Sequence, residues 1–252
     1  MKPGTLYLVP TPLDFGTPEP GSLAAVLPDA TLHKASTLRH WVAENAKTLR
    51  AFLKRVDATH RLSVPLQEMQ VLELPRAVHK QGDHAGGFDA RPLLAAALQG
   101  HDLGLVSEAG MPAVADPGSS VVRAAHDLSL QVVPLIGPVS LLLTLAASGL
   151  NGQNFAFVGY LPQDAAQRIE RLKQLEQLAR KTGQAQIWIE TPYRNASMLA
   201  AALQALHPST RLCVASGLTL SGQHIRSETV AQWRQRPEGP DAHTPAVYAL
   251  GP

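Results

Sequence analysis

Leu103-Gly104-Leu105-Val106, led in by Asp102, is a short apolar run, and it is followed at once by Ser107-Glu108-Ala109-Gly110-Met111-Pro112-Ala113-Val114-Ala115-Asp116-Pro117-Gly118. The run has the length and composition of a buried strand. The segment after it is built from small residues, two prolines and two glycines, and a helix-period stretch follows over 121–128. Strand, small-residue loop, helix is the local grammar of an open α/β sheet, whose ligands bind beyond the carboxyl ends of the strands. Ala109 and Gly110 let a ligand come close to the backbone. Asp116, just before Pro117-Gly118, is expected to hold that turn or to cap the next helix.

The same alternation extends in both directions. Strands are expected at 5–9, 41–43, 102–106 and 131–134, with helices at 46–56, 91–98 and 121–128. That order implies a parallel sheet with helices on its faces. Further on come a helix at 138–148, a strand at 155–159, a long charged helix at 163–181, a strand at 187–190 and a helix at 196–206. Strands at 211–215, 224–228 and 246–250 complete the chain. The expected class is α/β with two domains, residues 1–136 and residues 137–252. Residues 73–90, with Pro75, Gly82, Gly86, Gly87, His79 and His84, read as a loop.

The chain has 252 residues, 45% hydrophobic and 17% charged, a folded rather than a disordered composition. Cys213 is the single cysteine, which excludes an internal disulfide framework and a cysteine-rich zinc site; no metal is expected. No residue between Asp127 and Asp164 is charged, but Pro134, Gly137, Pro138 and Gly149 interrupt the stretch. A spanning helix needs about 20 continuous apolar residues, so no membrane segment is expected. The opening apolar run is too short for a secretory leader, and the expected location is the cytoplasm.

The signatures G-x-G-x-x-G, G-x-x-x-x-G-K-[ST], H-E-x-x-H, C-x-x-C and G-x-S-x-G are absent. Rossmann-type and P-loop nucleotide binding and zinc hydrolysis therefore lose support. What remains are loops after strands. Val9-Pro10-Thr11-Pro12 follows the first, and Leu135-Ile136-Gly137-Pro138-Val139-Ser140 follows the strand at 131–134.

In order, YLVPTP, LVSEAGMPAVADPG, VVPLIGPVS, SGL, FVGYLP and ETPYR resemble the tetrapyrrole methylase superfamily, and within it the small-subunit ribosomal RNA 2'-O-methyltransferases. The resemblance runs from Tyr7 to Tyr248 and is most specific over residues 107–118. It implies two α/β domains with S-adenosylmethionine in the cleft between them. It also implies cofactor contacts from Pro12, from Ala109, Gly110, Met111 and Val114, from Val139 and Ser140, and from Glu190 and Gly217. Where the RNA branch carries Glu-Asp-Thr-Arg, this chain reads Glu44-Asn45-Ala46-Lys47, and its His79-Lys80-Gln81-Gly82-Asp83-His84 departs from a His-Glu-His-Asn type segment.

Methyl transfer to a hydroxyl needs in-line placement and benefits from a base. Glu44 and Lys47 are the expected catalytic pair; the competing reading is that they cap and solvate the next helix. The expected function is a methyltransferase acting on a ribose hydroxyl of structured ribosomal RNA. The alternatives are a tetrapyrrole C-methyltransferase and a non-catalytic S-adenosylmethionine-binding regulator. Over residues 39–61, Arg39, Lys47, Arg50, Lys54, Arg55 and Arg61 face only Glu44 and Asp57, which suits phosphate. The uncharged stretch and the family habit point to a homodimer.

Overall fold

The structure is a computed structural model that describes residues 2–14, 17, 20–75, 77–78, 83–84 and 87–252. Within the segment 79–84, His79 to Gly82 lie outside the described residues. The chain divides into two compact units, Met1–Pro138 and Val139–Pro252.

The first unit is built on a five-stranded sheet of order β3-β2-β4-β1-β5, parallel throughout. The strands are β1 (Thr5–Leu8), β2 (His40–Ala43), β3 (Gln70–Glu73), β4 (Leu103–Val106) and β5 (Gln131–Pro134). All four residues of β4 are buried, as a central strand covered on both faces requires. Gly104 is obligatory there, because a Cβ would come within 2.5 Å of the Trp41 ring.

Helices α1 (Asp29–Thr37) and α2 (Ala46–Asp57) cover one face of this sheet, around Trp41, Leu49, Phe52 and Leu53. A 3₁₀ turn at Arg91–Leu94, the short α3 (Ala95–Leu98) and α4 (Ser119–Asp127) cover the other, around Leu94, Leu105 and Val121. Pro92 near the start of the segment 91–98 accounts for a 3₁₀ turn where the pattern suggests helix. The chain leaves β1 toward α1 and leaves β4 toward α4. Two neighbouring strands thus send their continuations to opposite faces, which opens a crevice at their carboxyl ends.

The second unit carries a mixed sheet of order β6-β7-β10-β8-β9. Its strands are β6 (Phe155–Tyr160), β7 (Ala185–Glu190), β8 (Arg211–Ser216), β9 (His224–Thr229) and β10 (Ala246–Gly251). β6 and β7 are parallel, and the other neighbours are antiparallel. Helix α5 (Ser140–Ser148) packs on one face through Leu141 and Leu145. Helices α6 (Ala165–Thr182), α7 (Asn195–Ala205) and α8 (Val230–Gln235) fill the other with the larger core. There Trp188 stacks on Tyr248 at 5.4 Å, and the Tyr248 hydroxyl donates to Asn195 O at 3.2 Å.

Asp164 caps α6 at one end and Gly183, with φ of 68°, closes it at the other. α5 is nine residues long, and among the described residues no helix is long and apolar enough to cross a membrane.

Candidate functional site

The carboxyl ends of β1 and β4 are joined by their loops. Val9 N–H donates to Leu105 O at 2.8 Å and extends the pairing by one residue. Thr11 and Gly110 then exchange two backbone hydrogen bonds, Thr11 N to Gly110 O at 2.9 Å and Gly110 N to Thr11 O at 3.1 Å. The buried Thr11 hydroxyl donates to Ser107 O at 3.4 Å. Pro12 and Gly110 are therefore held beside each other. The third loop closes on the first: Leu135 N–H donates to Leu8 O, and a Cβ on Gly137 would fall 2.3 Å from Pro10 Cγ.

The loop after β4 is unusual in its backbone. Gly110, Ala113, Ala115 and Gly118 have φ of 78°, 64°, 66° and 133°. Left-handed conformations cost alanine of the order of 1–2 kcal/mol each. Such strain concentrates where a loop is shaped for a ligand. A side chain on Gly110 would meet Leu13 Cδ2 at 3.1 Å and Pro138 O at 3.5 Å, so it would press on the neighbouring loops. Met111 is half-buried and Val114 is exposed. Both border an apolar pocket of about 600 Å³ shared with Leu8, Ala113, Val122 and Pro134.

What fixes this loop to α4 is Asp83. Its buried carboxylate accepts from Gly118 N and Ser120 N, both at 2.9 Å, and from the hydroxyls of Ser119 and Ser120. Burial alone would raise its pKa. The hydroxyls of Ser120 and Ser119 and the two N–H groups outweigh that and hold the carboxyl down at about 2. The helix cap expected of Asp116 is thus made by Asp83, 35 residues earlier than Gly118.

Asp116 has a different environment. Its carboxyl is pushed up to about 7, first by burial and then by the carboxylates of Glu44 and Glu108. Such a group sits between its two protonation states near neutral pH, where proton transfer is most effective.

Glu44 continues β2: its N–H donates to Val106 O at 3.1 Å, and its Oε2 accepts from Glu108 N at 3.1 Å. Asn45, not Glu44 or Lys47, caps α2, accepting from Lys47 N at 2.9 Å and Thr48 N at 3.4 Å. Lys47 lies exposed in the first turn of α2. The structure brings Glu44 to the β4 loop, together with Ala109 and Gly110.

In the second unit, Val139 and Ser140 open α5, with Leu143 N–H returning to Val139 O. Gly217 follows β8 with φ of 59°, and a Cβ there would lie 3.1 Å from Gly222 O. Glu190 ends β7 with a fully buried side chain. Its Oε1 accepts from Thr191 N at 2.8 Å and from the Thr191 hydroxyl, and its Oε2 pairs with Arg194 at 3.0 Å. Arg194 in turn donates to Leu161 O and Pro162 O. The Glu190 carboxylate is thereby occupied in shaping the β7–α7 connection.

Residues 30–233 match the model of the Tetrapyrrole (Corrin/Porphyrin) Methylases. A protein of Mesorhizobium japonicum named Ribosomal RNA small subunit methyltransferase I is 34% identical over 229 residues, covering 89% of this chain and 67% of its own. One of the same name from Pseudomonas aeruginosa is 31% identical over 238 residues, covering 92% and 72%. Among solved structures, the methyltransferase CobJ covers 98% of this chain and 94% of its own, with a TM-score of 0.57 at 19% identity. Uroporphyrin-III-C-methyltransferase from Thermus thermophilus covers 100% and 93%, with a TM-score of 0.52 at 17% identity. On the extent of these matches and the two-unit α/β architecture, the chain belongs to the tetrapyrrole methylase family and is a methyltransferase.

Proposed function

We propose that this methyltransferase uses S-adenosylmethionine to methylate a ribose hydroxyl of small-subunit ribosomal RNA, working as a homodimer in the cytoplasm. The RNA acceptor is carried by one observation: relatives named for ribosomal RNA methylation match about nine-tenths of the chain at 31–34% identity. The likeness to porphyrinoid-methylating structures lies below 20% identity and bears on the fold alone.

The first unit's residues fit the cofactor. Ala109 and Gly110 present little side chain, Met111 and Val114 line the apolar pocket with Leu8 and Pro134, and Thr11 of the first loop pairs with Gly110 next to Pro12. For Val139, Ser140, Glu190 and Gly217 the family resemblance alone supports a role toward the cofactor. Bound S-adenosylmethionine supplies a methyl group on a sulfonium. The loops hold the reactants in line. Glu44, at the edge of the β4 loop, takes up the proton that the hydroxyl loses, and the exposed Lys47 offsets the negative charge that develops on the acceptor oxygen.

The homodimer reading has its own support. Phe155 and Phe157 of the edge strand β6 pair with Ala185 and Ile187 and so share the face on which α5 packs, yet both are exposed. Leu142 and Leu143 of α5 are exposed as well. The test of the function is transfer of labelled methyl from S-adenosylmethionine to purified small-subunit ribosomal RNA and to small subunits. Incorporation into ribose supports it; no incorporation into either substrate refutes it.

A further inference from the structure

Helix α2 presents two opposite faces. Leu49, Phe52 and Val56 are buried with Leu53 in the core. Lys47, Arg50 and Lys54 are exposed at spacings of three and four, which places them in one row about 10 Å long on the outward side. Arg61, just past the helix, is exposed too. We propose that this row, Lys47-Arg50-Lys54 continued by Arg61, is the surface that grips the phosphate backbone of the RNA substrate; the proposal rests on the RNA reading above.

The row is not explained by folding. Like charges three and four apart oppose a helix. Lys47 stands in the first turn, where the helix dipole disfavours a cation and where α2 has no acidic residue. Nor does an internal partner neutralise the row. Among the described residues none of the four has a salt bridge, whereas Arg55 on the same helix is held by both oxygens of Asp14, at 3.2 and 2.8 Å, and by Gly21 O. The sequence counted Arg55 among the phosphate-facing residues; the structure removes it.

The carboxylates around the helix have other partners than the row, Glu73 at the start of α2 itself. Glu44 accepts from Glu108 N, Glu73 from Ala46 N and Asp57 from Leu62 N, while Asp29 pairs with His60. A polyanion matches such a row, since neutralising phosphates releases condensed counterions. A membrane surface does not, because a membrane-lying helix needs its apolar face available and α2 has buried that face in the core. The row also begins beside Glu44, at the end of the sheet that carries the candidate site.

The test uses the full chain with Arg50→Gln, Lys54→Gln and Arg61→Gln combined, leaving Lys47 in place. Binding of purified small-subunit ribosomal RNA is measured across a salt series. The slope of log K against log salt should fall by roughly 2 to 3, from about 0.7–0.9 per lost phosphate contact, and affinity at low salt should fall at least tenfold. S-adenosylmethionine affinity, measured separately, should stay as in the wild type and reports an intact fold. Arg171→Gln, Lys173→Gln and Lys181→Gln on α6 remove the same charge, and that control should change the slope by less than 1. If the α2 variant keeps the wild-type slope while the wild type binds RNA, this surface is refuted and the RNA reading stands. An equal loss in the α6 control attributes binding to overall charge and also refutes the surface. A wild type that binds anionic vesicles but no RNA overturns both.

Discussion

Gly110 is the position at which the cofactor reading is most exposed to a single change. Its φ of 78° lies in the left-handed region, so Gly110→Val forces a β-branched residue into a conformation that costs it of the order of 1–2 kcal/mol. The new Cβ lies 3.1 Å from Leu13 Cδ2, the end of a flexible side chain that can move away. The expected loss of stability is therefore about 2 kcal/mol, a modest part of a typical 5–15, and the protein stays folded. A branched side chain that presses on the neighbouring loops should cost far more in binding: at least a hundredfold in affinity, about 2.7 kcal/mol. Gly110→Asn separates the two effects, because asparagine tolerates the left-handed region while still filling the space. Urea unfolding should show Gly110→Asn close to wild type in stability. Calorimetry with S-adenosylmethionine should show both variants severely weakened. Wild-type affinity in Gly110→Asn would mean that no ligand approaches the backbone here, and the cofactor assignment of the β4 loop would fall.

Other consequences concern the residues around that loop. Asp83→Asn removes a charged acceptor from the start of α4 and should destabilise the chain by roughly 1–2 kcal/mol at pH 7, discounted for partial solvent screening. Because the folded carboxyl titrates near 2 rather than 3.8, this stability is complete above about pH 4 and is lost as the pH falls through 2; the difference between wild type and variant should shrink by about half at pH 3. An equal gap at pH 7 and pH 3 would contradict it. Asp116 has the opposite sign. Its raised value means that stability falls as the pH climbs from about 4 through 7, so Asp116→Asn should gain roughly 1–3 kcal/mol over wild type at pH 8 and little at pH 4; parallel urea curves for the two proteins at every pH would exclude this. Arg194→Leu strands the buried Glu190 carboxylate and should cost about 3–5 kcal/mol, seen as a large fall in Tm. A Tm within a degree or two of wild type would show that the pair is dispensable. Light scattering of the wild type at micromolar concentration should give twice the chain mass; a monomer mass would refute the dimer.

The sequence made the central strands legible because they are continuous apolar runs bounded by glycine and proline. β4 with its loop is the clearest case, and β1, β7 and β10 follow the same rule. β3 is an edge strand of sequence Gln-Val-Leu-Glu and largely exposed, so it carries no apolar signal. α1 begins after Pro28 and shows weak amphipathic contrast in Asp-Ala-Thr-Leu-His-Lys-Ala-Ser-Thr, which hides it among loops. α8 is only six residues long, and its one sequence mark is the Thr229–Gln232 capping box.

The left-handed backbone of the loops was legible where glycine marks a turn, at Gly110 and Gly217. It was illegible where alanine does so, since Ala113 and Ala115 carry positive φ without any residue type to announce it. The anchoring role of Asp83 depends on a contact 35 residues away. No spacing rule reaches that far, and an acidic residue among histidines and glycines was the only available hint. Glu190 and Glu44 were legible as residues near strand ends, but not in what their carboxylates hold.

The central claim is methylation of ribosomal RNA, and one measurement addresses it most directly: mass spectrometric mapping of small-subunit ribosomal RNA from a strain lacking this chain and from its parent. The account predicts one ribose methyl group present in the parent, absent in the deletion strain and restored by the intact chain but not by Gly110→Asn. Identical methylation in both strains would contradict it.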